Sequence, residues 1–233
     1  MSYPKPPNEA ARLEALRQYR ILDTGQEQLY DDIVGLAARI CGTPMATISL
    51  LDEDRQWFKA KVGLTVNETP REHAFCTHAI MRNEVMTIPD ATQDNRFQGN
   101  PLVTGDLHLR FYAGAPLATS GGLNVGTICV LDTKPRGLDE EQSAALEALG
   151  RVVVALLEQR KLSDTLAEAL ENVRTLSGLL PICAHCKAVR DDEGFWRRVE
   201  DYVTTHTGAE FTHSICPKCM RQHYPQYMEG YPD

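Results

Sequence analysis

Leu13, Leu16 and Tyr19 recur at helical spacing after Asn8, which predicts a first helix over EAARLEALRQY capped by that asparagine. A second helix is expected from about Gln26 to Ile40, with Leu29, Ile33, Leu36, Ala37 and Ile40 facing inward and Gly42 ending it. MATISLLD then alternates like a strand, and RQWFKAKVG reads as its hairpin partner across Glu53-Asp54. Pro70 is placed to open a third helix over REHAFCTHAIMR, followed by a short strand at VMTIPD. Residues 91–109 are rich in turn formers and lack periodicity, and a loop that long inside a domain is usually a functional or covering one. LRFYAGAPL and LNVGTICVLD, joined through Ser120-Gly121-Gly122, give the strongest hairpin signal in the chain.

Beyond Pro135 and Gly137 a single helical pattern runs from Asp139 to about Leu180. Leu146, Leu149, Val153 and Leu156 form one stripe; Leu162, Leu166, Ala169, Val173, Leu176 and Leu180 form another at heptad spacing. The two are out of phase across Gln159-Arg160-Lys161. The first is expected to pack on its own domain and the second to meet a partner helix, giving a homodimer. The alternative is one helix lying on its own domain throughout. The expected organisation is therefore 1–138, a sensor domain; 139–180, a connecting coiled-coil helix; and 181–233, a small C-terminal module.

Composition narrows the function classes. The 233 residues carry a formal net charge of −8, which argues against a nucleic-acid or anionic-membrane surface. No apolar run approaches the length of a membrane span, and the first residues lack the apolar core of a signal peptide, so the expected compartment is the cytoplasm.

Four of the seven cysteines form two CxxC pairs, Cys183/Cys186 and Cys216/Cys219, separated by the 29 residues 187–215. Zinc prefers four tetrahedral ligands, and each knuckle can supply two thiolates from one turn. Between the pairs, AVRDDEGF suits a hairpin turning at Asp192-Glu193-Gly194, WRRVEDYVTTH a helix ended by Gly208, and EFTHSI a strand, while Pro217 could start a closing helix through His223. So small a module with few large apolar side chains needs a staple, and a structural zinc is the expected cofactor. His185 and His213 are spare ligands at best. A redox CxxC of the thioredoxin kind lacks its βαβ context here. Basic and acidic residues balance between Cys183 and Tyr224, so nucleic-acid binding is not expected there.

The order of elements, with RLEALRQYRILDT, YDDIVGLAARICG, ISLLDEDRQWFKAKVGL, ETPREHAFCTHAI, DNRFQGNPLV, LRFYAGAPL and VGTICVLD, resembles a GAF domain of the subgroup found ahead of histidine kinases and diguanylate cyclases. The resemblance implies an α+β fold: an antiparallel sheet with flanking helices and a pocket between the sheet and a covering helix and loop. Positions matching the ligand wall of such domains are Trp57, Phe75, Cys76, His78, Asp90, Arg96, Phe97, Arg110, Tyr112 and Cys129. Each has a plainer reading: Phe75 and Phe97 as core, Arg96 and Arg110 paired with Asp90 or Asp94, Trp57 as a dimer contact, and the single cysteines Cys41, Cys76 and Cys129 as small buried hydrophobes. The stretch from LSGLLPICAHCK to the closing helix resembles a cysteine-rich segment that follows receiver, PAS or GAF domains in some bacterial regulators.

A bilin attachment would need histidine directly after the cysteine, and Thr77 stands there instead. The Asn-Lys-x-Phe-Asp pattern of cyclic-nucleotide pockets is absent, Cys41, Cys76 and Cys129 do not stand in the motif context of the clustered catalytic cysteines of free-methionine sulfoxide reductases, and a phosphate loop, HExxH and GxSxG are missing. The expectation is a non-enzymatic sensor that binds a small ligand or partner, dimerises, and reports to another signalling protein through the zinc module. The alternatives are a redox-active thiol protein and a transcription regulator.

Overall fold

The computed structural model describes residues 3–177, 180–191 and 193–227, with the backbone alone over 171–177. It divides into two compact units, Met1–Ala167 and Glu168–Asp233. Among the described residues no helix is long and apolar enough to cross a membrane.

The first unit is an α+β fold around a six-stranded antiparallel sheet in the order β3-β2-β1-β6-β5-β4. The strands are β1 (Met45–Leu51), β2 (Arg55–Val62), β3 (Glu68–Pro70), β4 (Met86–Ile88), β5 (Phe111–Ala118) and β6 (Asn124–Asp132). Both expected hairpins are present, β1–β2 and β5–β6, and β1 and β6 pair in the centre, so that Thr47 lies opposite Cys129. Alternation sends Ile48, Leu50, Ile128, Val130, Phe111 and Ala113 into one core cluster, and Leu51, Leu131, Cys129 and Tyr112 into another on the opposite face. In β2 a bulge leaves Lys59 without a partner between the Ser49–Phe58 and Ile48–Ala60 pairs. That sends the Lys59 ammonium to the Glu27 carboxylate at 2.6 Å and over the Tyr30 ring.

Helices cover the first face. The first helix, α1, is Glu9–Gln18; its N-cap is Asn8, as expected, although the asparagine side chain makes no capping bond. The next, α2, is Gln28–Cys41 and ends on Gly42 at φ +61. Its buried row is Tyr30, Ile33, Val34, Ala37, Ala38 and Cys41, whereas Leu29, Leu36 and Ile40, expected inside, are exposed. The face is turned because the row through Tyr30, Val34, Ala38 and Cys41 is the one that meets the sheet.

The third helix of the pattern is broken. Arg71–His73 form a 3-10 turn, Ala74 is extended, and only Cys76–Ala79, α3, is α-helical. The physical reason is Arg71, fully buried, whose guanidinium bonds the Glu9 carboxylate at 2.6 Å and the Asp52 carbonyl at 2.8 Å, while its own carbonyl accepts the Thr77 hydroxyl. Glu9 also holds Arg12, and both guanidinium groups keep its carboxyl down at about 2 against the rise that burial alone would cause. A further short helix, α4, Pro101–Thr104, lies within the covering loop.

The long helix α5 spans Glu140–Ser177 and opens on a capping box, with Gln142 N–H donating to Asp139 and Asp139 N–H donating to Gln142. Leu146, Val153 and Leu157 are buried in the first unit, with Leu149 and Leu156 packed beside them, which carries that unit past residue 138. Leu162 and Leu166 are exposed, while the Val173 and Leu176 side chains lie outside the described residues.

In the second unit β7 (Val189–Arg190) pairs with β8 (Trp196–Arg197) around the expected turn, with Asp192 of that turn outside the described residues. Trp196 and Arg197, expected in the helix, are strand instead, because they pair with Arg190 and Val189. Helix α6, Val199–Thr207, ends on Gly208 at φ +67, and α7 spans Pro217–His223. Residues 210–215, expected as a strand, form none. Among the described residues of this unit Val189 alone is a buried hydrophobe, while Phe195, Trp196, Phe211 and Ile215 are exposed.

Candidate functional site

The second face of the sheet is covered by α3 and by the loop from Pro89 to Arg110. Phe75 stacks on Phe97 at 3.9 Å between ring centroids, His78 meets Phe97 edge-on at 4.8 Å, and Tyr112 tilts against Phe75 at 5.4 Å. Four of the residues expected to line a pocket thus form one aromatic cluster. The Arg96 guanidinium lies over the Phe97 ring and is held by the Asp94 carboxylate at 2.6 Å.

Two spaces adjoin this cluster. The outer one is a cleft of about 640 Å³ whose walls include His73, His78, Asn95, Arg96, Phe97 and Asn100. Burial, with help from the Arg96 charge, pushes the His78 imidazole below its ordinary range, so it is neutral at pH 7. The inner one is a cavity of about 50 Å³ under the loop, walled by Leu64, Val66, Phe75, Leu102, Leu107 and Leu131 and touching Cys76, Tyr112 and Cys129. Gln56 and Thr69 line it too, and the Gln56 Oε1 and Thr69 Oγ1 atoms are buried with no hydrogen-bond partner.

At the floor of the inner cavity a polar chain crosses the sheet. Ser49 Oγ is 2.7 Å from Thr47 Oγ1, which is 3.0 Å from Cys129 Sγ. Cys129 Sγ lies 3.8 Å from Cys76 Sγ, which accepts the Tyr112 hydroxyl at 3.3 Å. Gly114 makes this possible: a Cβ there would stand 2.2 Å from the Tyr112 oxygen, so only glycine lets the ring lie along the strand. Burial pushes the Cys76 thiol up, but the contact with Cys129 and the bond from the Tyr112 hydroxyl help to outweigh it and bring it down to about 7. Cys129 is driven the other way, well above the thiol range, by its bond to Cys76 and by burial.

The remaining expected residues stand elsewhere. Trp57 points to the helix side, in the cluster with Ile33, Val34 and Ala37, because its neighbours Gln56 and Phe58 take the cavity side. Asp90 caps a turn by accepting the Thr92 amide and hydroxyl. Arg110 donates to the Val103 and Leu109 carbonyls and so pins the covering loop, rather than pairing with a carboxylate. Thr47, Ser49, Gln56 and Thr69 are site residues that the sequence reading missed. For Thr47 and Ser49 the signal was present, two polar residues at alternate positions of the otherwise apolar MATISLL; Gln56 and Thr69 stand in strands of mixed polarity and carried none.

The cysteine pairs of the second unit are each formed. The Cys186 amide donates to Cys183 Sγ at 3.5 Å, and Cys216 caps α7 with Cys219 in its first turn. Backbone amides, that of Cys186 first for Cys183 and that of Cys219 first for Cys216, lower both thiols. Thiolates presented in pairs have the right chemistry for zinc. Yet among the described residues no three or more metal-binding side chains are gathered at one point, so the two pairs do not meet at a common site.

Comparison with known proteins adds three findings. The GAF domain family profile matches residues 26–157, more than half of the chain. The cyclic di-GMP phosphodiesterase PA2567 of Pseudomonas aeruginosa is 45% identical over 153 residues, which are 65% of this chain and 26% of that protein. The blue-light absorbing form of the Thermosynechococcus elongatus PixJ GAF domain superposes with a TM-score of 0.52 at 14% identity, covering 69% of this chain and 96% of that one. At that identity the likeness speaks for the fold alone. The chain thus spans about a quarter of the length of the curated relative it matches. One expectation is corrected: the sequence argued against an enzyme, and the phosphodiesterase name of that relative overturns it.

Proposed function

The chain belongs to the GAF domain family, and on that footing we propose that it is a regulatory sensor in cyclic di-GMP signalling, binding a small ligand and controlling a phosphodiesterase. The observation that carries this reading is the 45% identity with a cyclic di-GMP phosphodiesterase over 153 residues. The outer cleft, at about 640 Å³, has the size of a small-molecule site. Phe97 offers an aromatic wall, the amides of Asn95 and Gln98 offer hydrogen bonds, and neutral His78 together with charge-paired Arg96 favours an uncharged or weakly acidic planar molecule. A chimera tests the assignment, with this unit replacing the matching 153 residues of the Pseudomonas phosphodiesterase. Hydrolysis of cyclic di-GMP should persist and change about fivefold on Phe97→Ala, the low end of ordinary coupling between sites. Hydrolysis indifferent to Phe97→Ala and to Arg96→Ala would remove the regulatory role.

The output side of the proposal is a helical homodimer and a zinc-stapled module that meets a signalling partner in the cytoplasm. Support for the dimer is the exposed row Leu162, Leu166 and Leu170 on α5. Support for the staple is the scarcity of buried hydrophobes around two preformed thiol pairs. One zinc would take Cys183, Cys186, Cys216 and Cys219 into a single shell and supply folding free energy; its role is structural. Elemental analysis of protein purified without chelator should find about one zinc per chain, lost in Cys216→Ser. Metal-free protein with an intact second unit would end the zinc reading.

A further inference from the structure

Cys76 and Cys129 differ from ordinary buried cysteines in three respects. They belong to elements far apart in sequence, the first residue of α3 and the centre of β6, yet their sulfurs are 3.8 Å apart. Each is also bonded to a hydroxyl, Cys76 to Tyr112 and Cys129 to Thr47, where an inert structural thiol would have apolar neighbours. Finally, both face the inner cavity, whose other walls are largely leucine and phenylalanine and one of whose lining residues, Val66, is exposed.

The size of that cavity selects what can reach the sulfurs. A water needs roughly 10–15 Å³ on the same measure, so about 50 Å³ admits a molecule of only a few heavy atoms. Its apolar walls disfavour ions, and a bulky charged thiol does not fit. A disulfide needs the sulfurs at about 2.05 Å. The gap to close is therefore less than 2 Å by that standard, within reach of side-chain rotation and a small shift of the four-residue α3.

We propose that Cys76 and Cys129 are an oxidisable pair, a modification site at which a small hydroperoxide converts two thiols into one disulfide that ties α3 to the sheet. The Cys76 thiolate attacks one peroxide oxygen; the S–O bond forms as the O–O bond breaks, and the departing alkoxide or hydroxide takes up the proton that Cys76 gave up. Cys129 sulfur then attacks the Cys76 sulfenic acid. An S–S bond forms, the S–O bond breaks, and the hydroxyl leaves as water with the Cys129 proton, which Thr47 Oγ1 at 3.0 Å is placed to relay. Two thiols lose two electrons; the hydroperoxide gains them and ends as one alcohol (water, for hydrogen peroxide) and one water. Because Phe75 and His78 flank and belong to α3 and both touch Phe97, the disulfide alters the wall of the outer cleft. The modification itself stands whether or not that cleft takes a ligand.

The test is hydrogen peroxide treatment of the full chain, alkylation of remaining thiols after denaturation, and peptide mapping without reductant. The expected product is a peptide pair linked through Cys76 and Cys129, reversed by dithiothreitol, with Cys41 still fully alkylated. In Cys129→Ser, Cys76 should be trapped by dimedone as the sulfenic acid; in Cys76→Ser, Cys129 should remain a thiol. Mapping separates this from oxidation of the CxxC pairs. If Cys76 and Cys129 of the unmutated chain both stay alkylated at peroxide levels that oxidise Cys183 or Cys216, the proposal fails. It fails equally if Cys76 links to any cysteine other than Cys129.

Discussion

The two faces of the sheet are made from alternate residues of the same strands, yet they do different work. On the helix side Ile48, Leu50, Phe111, Ala113, Ile128 and Val130 meet α2 and α5 as an apolar layer. On the other side the same strands present Thr47, Ser49, Tyr112, Thr127 and Cys129, a row of hydroxyls and a thiol buried just as deeply. Hydrophobic burial is non-directional, so the first face gains stability from any well-filled shape. Buried polar groups need partners, and on the second face a specific chain of contacts from Ser49 to Tyr112 supplies them for part of the row, while Gln56 Oε1, Thr69 Oγ1 and Thr127 Oγ1 have none. The second face is not polar throughout: Met45, Leu51, Phe75, Met86, Ile88 and Leu131 form a core cluster of their own around that chain.

The neighbours Phe111 and Tyr112 offer the sharpest way to break that division, since both are fully buried and point to opposite faces. Phe111→Ala opens a hole in the apolar layer and should cost about 3–5 kcal/mol. Urea unfolding followed by circular dichroism measures it directly. A loss below about 1 kcal/mol would mean that the helix face is not where the unit's stability resides.

How far the sequence could reveal this contrast differs between the faces. The hairpins, the capping glycine of α2 and the start of α5 were legible because alternation, helical spacing and turn residues are local signals. The direction of a strand's alternation is not local. Nothing in RQWFKAKV says whether Trp57 or Phe58 looks toward the helices, and the bulge at Lys59 changes the phase again. The same limit hid which row of α2 is buried, and it hid the break before Cys76. That break depends on a guanidinium reaching Glu9, 62 residues away along the chain. The thiol pair was legible only as two isolated cysteines, because its proximity comes from the α3–β6 packing that no local pattern encodes. In the second unit the missing strand at 210–215 has the opposite cause: the local pattern suits a strand, but no described neighbour pairs with it.

The smaller expected effect, and the one that separates stability from chemistry, is Tyr112→Phe. The ring and its packing against Phe75 remain, and only the hydroxyl bonded to Cys76 Sγ at 3.3 Å is lost. A single neutral hydrogen bond is worth about 1 kcal/mol net, so unfolding should shift by no more than that. Reactivity should respond much more clearly. The Tyr112 hydroxyl is one of the groups that hold the Cys76 thiol down at about 7, so removing it must raise that value toward the ordinary 9. In the unmutated chain, modification of Cys76 by a small neutral thiol reagent should rise as pH passes through about 7. In Tyr112→Phe the rise should move to higher pH, and the rate at pH 7 should fall. The reverse pattern, a large loss of stability with an unmoved pH profile, would show that Tyr112 belongs to the core in the same sense as Phe111. The two faces would then differ in composition but not in purpose.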